Sequence, residues 1–111
     1  MTDKIVVLSS CANSDEAARI ARSLIEGQLA ACVNIAPGVR SIYRWKGNVE
    51  DASELLLFIK TSRSLLGAVQ AEIERLHSYD LPETIALQVV DGSERYLEWL
   101  DDSLKRTDEA R

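Results

Sequence analysis

The chain has 111 residues, of which 46% are hydrophobic and 28% charged, the usual composition of one globular domain with a single core. Its formal net charge of −5 and its pI of about 4.8 give no basic field for a phosphate backbone, which argues against nucleic acid as a partner. No apolar run approaches the roughly 18 residues that span a bilayer, and the N-terminal segment lacks a signal-peptide pattern. We therefore expect a cytoplasmic protein with a single domain over residues 1–111 and no membrane association.

The first third of the chain predicts a strand followed by an amphipathic helix. The β-branched run 4–11 indicates the strand. Apolar side chains then recur at helical spacing, at Ala17, Ile20, Ala21, Leu24 and Ile25. Asn13 with Glu16 three residues later predicts a capping box, and Gly27 predicts the end of the helix.

The middle of the chain predicts extended structure. Residues 30–38 and 39–47 each have a strand pattern, and Pro37-Gly38 predicts either a bend in one long strand or a break between two. The polar segment 48–53 predicts a turn, and the apolar run 54–61 predicts the strongest strand in the chain.

The last third predicts two helices separated by a strand. After residue 61 an apolar helical face is formed by Leu66, Val69, Ile73 and Leu76. Residues 83–92 predict the last strand, residues 93–104 the last helix, and we expect the polar tail beyond about residue 104 to be disordered. The predicted order is β-α-β-β-α-β with an added C-terminal helix, which is the ferredoxin-like split βαβ fold of the α+β class.

The predicted sheet is apolar on both faces, which one layer of helices does not cover. In the central strand Leu57 and Ile59 point to one side, whereas Leu56 and Phe58 point to the other. The chain has no spare element for the second face. We therefore expect another copy of the subunit to cover it, in an obligate homo-oligomer.

His77, the only histidine, lies at the predicted end of the second helix, before Pro82. One reading is that it ends the helix and interacts with the macrodipole. The other is a metal ligand or hydrogen-bonding group, because neutral imidazole binds copper, zinc and nickel. Asp80 and Glu83 stand nearby at spacings that match no metal motif, as expected of solvated loop carboxylates.

Two further residue types could carry chemistry. Cys11 ends the first strand just before a helix N-terminus, which favours either a low-pKa thiol ligand or a small buried residue. Cys32 has no metal-finger or CxxC spacing to Cys11 and is expected to be structural. Lys60 interrupts the central strand and is expected either to extend to the sheet edge or to meet a carboxylate.

The aromatic residues Tyr43 and Trp45 share a strand face and either pack in an interface or form a ligand wall. No nucleophile elbow, phosphate loop or HExxH motif is present, so the sequence does not indicate an enzyme. An acid–base mechanism would have to use His77 or a carboxylate.

Taken together, the sequence resembles the CutA family, the divalent-cation tolerance proteins. The matching stretches run in family order over residues 5 to 104: "IARSLIEGQLAACVNI", "SIYRWKG", "ELLLFIKT", "HSYDLPE" and "YLEWL". The resemblance implies a ferredoxin-like subunit in a tight homotrimer similar to the PII signalling proteins. It also implies an inter-subunit cleft formed by family positions that fall here on Tyr43, Trp45, Lys60, His77, Tyr79, Pro82 and Glu83.

The resemblance further implies a role in tolerance of copper and other divalent cations. Members proposed to bind copper carry a cysteine late in the first strand and two adjacent histidines near the end of the second helix. Those cysteine and first histidine positions fall here on Ser9 and Leu76, leaving His77 and the nearby Cys11 as the candidate metal ligands.

Three functional hypotheses follow. The first is a non-catalytic trimeric protein of divalent metal response that binds Cu(II) or another divalent cation. The second is a PII-like module that binds a small anion in the inter-subunit cleft, with Lys60 and His77 as donors. The third is an enzyme that uses His77 as acid or base.

Overall fold

The computed structural model describes residues 2–106 and follows the predicted order of elements. The elements are β1 (Lys4–Cys11), α1 (Ser14–Glu26), β2 (Cys32–Trp45), β3 (Asn48–Ser62), α2 (Leu66–Leu76), β4 (Ile85–Gln88) and α3 (Glu94–Asp102). The four strands form one antiparallel sheet in the order β2-β3-β1-β4. The predicted α+β class and the split βαβ order are confirmed. The tail that was expected to be disordered falls mostly on residues 107–111, outside the described residues.

The hydrophobic core lies between α1, α2 and one face of the sheet. The central strands contribute Val7, Leu57 and Ile59, all fully buried. The two helices add Ile20, Leu24, Val69 and Ile73 from the faces that the sequence predicted. Ile25 was predicted on the same face of α1, but it lies at the edge of that face and is 40% exposed. Each of the fully buried side chains stabilises the fold by about 1.5–3 kcal/mol through burial. None of the helices in the described part of the chain is long and apolar enough to cross a membrane.

Helix α1 has half of the predicted capping box. The Asn13 side chain accepts a hydrogen bond from the Glu16 backbone N–H at 2.9 Å, as predicted. The Glu16 side chain does not return this bond, because it turns toward the chain segment after α2. The helix therefore keeps its cap while Glu16 is available for another contact.

Helix α1 ends at Gly27, as predicted, but a non-glycine residue follows in the left-handed conformation. Gly27 is the C-cap residue, but the left-handed backbone belongs to Gln28, with φ of 57°. The N–H of Gln28 bonds to Ile25 O and that of Leu29 bonds to Leu24 O, which is the Schellman pattern. A side chain with a Cβ thus occupies a position that glycine fills best.

Strand β2 is one long strand with a bend, so the first of the two predictions for Pro37-Gly38 is confirmed. The pairing with β3 shifts between Ala36 and Val39, where Gly38 has φ of 76°. The predicted turn over residues 48–53 is wrong, because β3 already begins at Asn48. The turn is the dipeptide Lys46-Gly47, with φ of 50° and 83°, a combination that suits a tight two-residue hairpin.

Strand β4 is shorter than the predicted 83–92. It spans Ile85–Gln88 and pairs only with residues Ile5 to Leu8 of β1. One more backbone bond joins Val89 N–H to Lys4 O, at the residue where β1 begins. Beyond that point β1 offers no partner, so the start of β1 limits the C-terminal end of β4.

The second face of the sheet is apolar, as predicted. The registers place Leu8 beside Phe58 and Ile85, all on the face opposite Val7 and Ile59. Ile85 and Leu87 are 51% and 50% exposed, whereas Phe58 is half-buried. We call this surface, formed by Val6, Leu8, Leu56, Phe58, Ile85 and Leu87, the open face.

Helix α3 is fastened at one end of the sheet. Leu100 and Leu104 pack with Leu65 in a small second cluster. The buried ammonium of Lys4 lies 2.7 Å from carboxylate oxygens of both Asp3 and Asp101. Asp101 thereby ties the last helix to the first strand.

The left-handed residue at the end of α1 generates a stability prediction. Gln28→Gly removes the Cβ that disfavours this conformation, and we expect it to raise the free energy of unfolding by about 1 kcal/mol. Gln28→Ala is the matched control, because alanine keeps the Cβ and should give no gain. Urea denaturation of the three proteins measures the effect, and an equal gain in both variants would contradict the explanation.

Candidate functional site

His77 is the C-cap residue of α2, and its side chain is fully buried. Nε2 lies 2.7 Å from the Ser10 carbonyl oxygen, and Nδ1 lies 3.0 Å from the Tyr79 backbone nitrogen. A carbonyl oxygen only accepts and an amide N–H only donates, so Nε2 carries a hydrogen and Nδ1 does not. The helix ends at His77, as expected if this residue terminates α2. The ring also forms hydrogen bonds, as expected if it is a ligand or hydrogen-bonding group.

Glu16 is the functional residue that the sequence analysis missed. It is only 4% exposed, and its Oε2 accepts a hydrogen bond from the Ser78 backbone N–H at 3.2 Å. Its Oε1 lies 3.5 Å from His77 Nδ1 and has no hydrogen-bond partner among residues 2–106. The helical spacing did indicate that Glu16 is buried. Glu16 precedes Ile20 by four residues and Leu24 by eight, which places it on the apolar face of α1.

Cys11 is fully buried, and its Sγ lies 3.8 Å from His77 Nε2. Burial, followed by the nearby carboxylates of Glu16 and Glu54, raises the pKa of the Cys11 thiol to about 11. The predicted low-pKa thiol is therefore wrong, and the alternative of a small buried residue is confirmed.

The contact between Tyr79 and Glu54 lies beside the buried His77 ring. The Tyr79 hydroxyl donates to Oε2 of Glu54 at 2.6 Å, and the Tyr79 and His77 ring centroids are 4.6 Å apart. Burial, followed by the hydrogen bond to Glu54, raises the pKa of Tyr79. Tyr79 and Glu54 thus join the chain segment after α2 to strand β3.

The other predicted cleft residues are not gathered within one chain. Trp45 pairs with Asn48 at the tip of the β2–β3 hairpin, whereas Lys60 is near the opposite end of β3. Twelve residues of extended strand separate the two positions by about 40 Å. Tyr43 is exposed and Glu83 half-buried, so a cleft that contains all these residues stays a prediction about several chains.

Lys60 follows neither sequence-based expectation fully. Its ammonium lies 3.3 Å from the Tyr96 hydroxyl oxygen and 5.5 Å from the centroid of that ring. It therefore forms a hydrogen bond and a cation–π contact instead of meeting a carboxylate.

A groove of about 640 Å³ lies between the start of β1 and α3, away from these residues. Of the described residues, six with carboxylates line it: Asp3, Asp91, Glu94, Glu98, Asp101 and Asp102. Lys4 is the one basic residue among the described lining. This charge disfavours a small anion in the groove.

Within the described residues, Cys11, Glu16 and His77 are the one group whose donor atoms could hold a metal ion. Their sulfur, oxygen and nitrogen atoms lie within 4.8 Å of one another. Asp80 is exposed and, like Glu83, stands outside the group. Thiolate and imidazole suit soft and borderline cations such as copper and zinc. The donors fit such a cation on two conditions, that the thiol loses its proton and that the imidazole releases one of its hydrogen bonds.

Comparison with known proteins gives the family. The family model of the CutA1 divalent ion tolerance protein matches residues 5–103. The chain belongs to the CutA1 divalent ion tolerance family. The predicted resemblance is confirmed.

Individual CutA proteins are similar over most of this chain. The chloroplastic protein CutA of Arabidopsis thaliana is 46% identical over 101 residues, and the match covers 91% of this chain and 56% of that protein. The divalent-cation tolerance protein CutA of Thermus thermophilus is 44% identical over 86% of this chain and 92% of its own length. The crystal structure of CutA1 from Oryza sativa superposes with a TM-score of 0.91 at 45% identity, covering 94% of this chain and 95% of that chain. The chain thus spans just over half the length of the Arabidopsis relative.

The raised pKa of Cys11 generates a reactivity prediction. With a pKa of about 11 only about one Cys11 thiol in a thousand is ionised at pH 8, so iodoacetamide should label Cys32 first. Below pH 11 the labelling rate of Cys11 should rise about tenfold for each pH unit, because the thiolate is the nucleophile. Mass spectrometry of the Cys32→Ser variant isolates this rate. Rapid labelling of native Cys11 at pH 7 would contradict the assignment.

Proposed function

We propose that this CutA1-family chain acts in tolerance of divalent cations, copper foremost, as a non-catalytic homotrimer in the cytoplasm. The observation that carries the metal-binding part is the approach of Cys11 Sγ to His77 Nε2 at 3.8 Å, beside the buried carboxylate of Glu16. Cys11 and Cys32 are both free thiols, which fits a reducing compartment.

The same geometry supports a weak site. A thiol with a pKa of about 11 is four pH units from ionisation at pH 7, and its deprotonation costs about 5 kcal/mol. One imidazole and one thiolate also fall short of the usual three or four ligands. Copper is the favoured cation because it binds nitrogen and sulfur ligands most tightly among the divalent first-row metals.

The state of the side chains supports a role without catalysis. Both nitrogens of His77 take part in hydrogen bonds to the backbone, so the imidazole has no free lone pair for a substrate proton. Burial keeps Cys11 protonated, which disfavours it as a nucleophile.

The open face and the hairpin support the trimer. The open face presents six apolar residues to solvent in the single chain. Strand β1 pairs with β3 only from Leu55 onward, so residues 39–45 and 48–54 form a two-stranded ribbon beyond the sheet. Ile42 and Val49 on this ribbon are 65% and 66% exposed, and a free two-stranded ribbon is only marginally stable. Neighbouring copies would cover both surfaces.

The same assembly would supply the predicted inter-subunit cleft. Trp45 and Lys60 lie at opposite ends of the hairpin, so they meet only if different chains contribute them. The PII-like alternative, a small anion bound beside Lys60, depends on this cleft.

The metal-binding proposal is tested by titration calorimetry with Cu(II), with Zn(II) as a cation that does not oxidise thiols. We expect weak binding by the wild type and none by His77→Ala or Cys11→Ser, because each variant removes one of the two donors. Asp80→Asn is the control for loss of a nearby carboxylate and should bind as the wild type does. Tight binding that survives in both donor variants would place the site elsewhere.

The trimer proposal is tested by light scattering at micromolar concentration. The wild type should have a mass of about three times the chain mass of 12.3 kDa. Phe58→Glu removes about 1.5–3 kcal/mol of apolar burial per subunit and adds a charge to the covered face. We expect this variant to be insoluble or a smaller, poorly folded species.

The control for Phe58→Glu is Ile25→Glu, which places the same charge on the exposed side of α1 and should leave the trimer intact. A wild-type chain that folds cooperatively as a monomer would refute the trimer.

A further inference from the structure

The contact between Glu16 and His77 is unfavourable in the state that the structure shows. Oε1 of Glu16 is buried, and no group in the described part of the chain forms a hydrogen bond with it; it lies 3.5 Å from Nδ1 of His77. Nδ1 is itself an acceptor here, because it receives the Tyr79 N–H. Two lone pairs therefore face each other, and a buried acceptor without a donor is costly.

The two sides of the imidazole ring have different surroundings. The Ser10 carbonyl oxygen and Cys11 Sγ lie 2.7 Å and 3.8 Å from Nε2. Glu16 Oε1 lies near Nδ1. The closest contacts of the thiol and the carboxylate are thus made to opposite nitrogens, so one ion bound to Nε2 would meet Cys11 first.

A cation on Nε2 requires that nitrogen to give up its hydrogen. A neutral imidazole then carries the hydrogen on Nδ1. Glu16 Oε1 is the free acceptor beside Nδ1, and accepting this N–H would give the orphaned oxygen its missing partner. Carboxylates commonly orient metal-binding histidines in this way, through the nitrogen that does not bind the metal.

We propose that Glu16 is a positioning residue that holds His77 in the Nδ1–H tautomer when a divalent cation binds Nε2 together with the Cys11 thiolate. The hydrogen leaves Nε2 and an equivalent one joins Nδ1, while the thiol releases its proton to solvent. The inference rests on the proposed metal-binding function. It adds to that function a switch of His77 from the Nε2–H to the Nδ1–H tautomer.

The switch has a consequence for the chain segment after α2. The Tyr79 N–H loses its acceptor when Nδ1 gains a hydrogen. The Ser78 N–H keeps its bond to Oε2 of Glu16. Cation binding is therefore expected to loosen the backbone at Tyr79 and to leave Ser78 in place.

Nuclear magnetic resonance of the ¹⁵N-labelled full chain tests the tautomer directly, because His77 is the only histidine and gives one set of imidazole signals. Metal-free protein at neutral pH should show hydrogen on Nε2, and Zn(II)-saturated protein should show it on Nδ1. Amide exchange at Tyr79 should accelerate on Zn(II) binding, whereas exchange at Ser78 should not.

Variants test the role of Glu16. Glu16→Val removes the acceptor and should weaken Zn(II) binding by about tenfold to hundredfold. Glu16→Gln keeps the size of the side chain and should weaken binding less, because its amide oxygen still accepts the Nδ1–H. Asp80→Asn removes the same charge from an exposed site and should bind Zn(II) as the wild type does.

The outcomes separate the two proposals. A wild type that binds no Zn(II) or Cu(II) overturns both the metal-binding function and the switch. Binding with hydrogen still on Nε2, or undiminished in both Glu16 variants, overturns the switch alone. A doubly protonated His77 in the metal-free protein at neutral pH also overturns it, because Oε1 would already have a donor.

Discussion

The hydrogen bond from His77 Nε2 to the Ser10 carbonyl oxygen joins the end of α2 to the end of β1, and the candidate site depends on it. It fixes which nitrogen carries hydrogen and so lets Nδ1 receive the Tyr79 N–H. The buried ring also brings Cys11 and Glu16, which flank the start of α1, into contact with the segment after α2. It is also the bond that a cation on Nε2 would replace.

Local sequence signals predicted the helices and most of the strands. Asn13 capped α1 as expected, and the apolar spacing of Val69 and Ile73 identified the buried face of α2. The start of β3 was missed because residues 48–53 lie on the ribbon outside the core. A segment that packs against no core within its own chain needs no apolar alternation, so its sequence resembles a turn.

Other features depend on partners distant in the sequence. The C-terminal end of β4 is set by where β1 begins, at Lys4, which no pattern within 83–92 records. Glu16 was assigned to the capping box because that local motif explained it, although its position on the apolar face also indicated a buried carboxylate. His77 and Cys11 were identified as neighbours in function, but the ring's hydrogen bonds and the thiol's raised pKa follow only from tertiary packing.

Asp101 has a consequence for how the last helix responds to acid. Its carboxylate receives the Lys4 ammonium at 2.7 Å and a guanidinium nitrogen of Arg106 at 3.1 Å. These contacts, the one with Lys4 first, hold the pKa of the Asp101 carboxyl below its usual range. The attachment of α3 to β1 is therefore lost only when the pH falls below the range in which an ordinary aspartate takes up its proton.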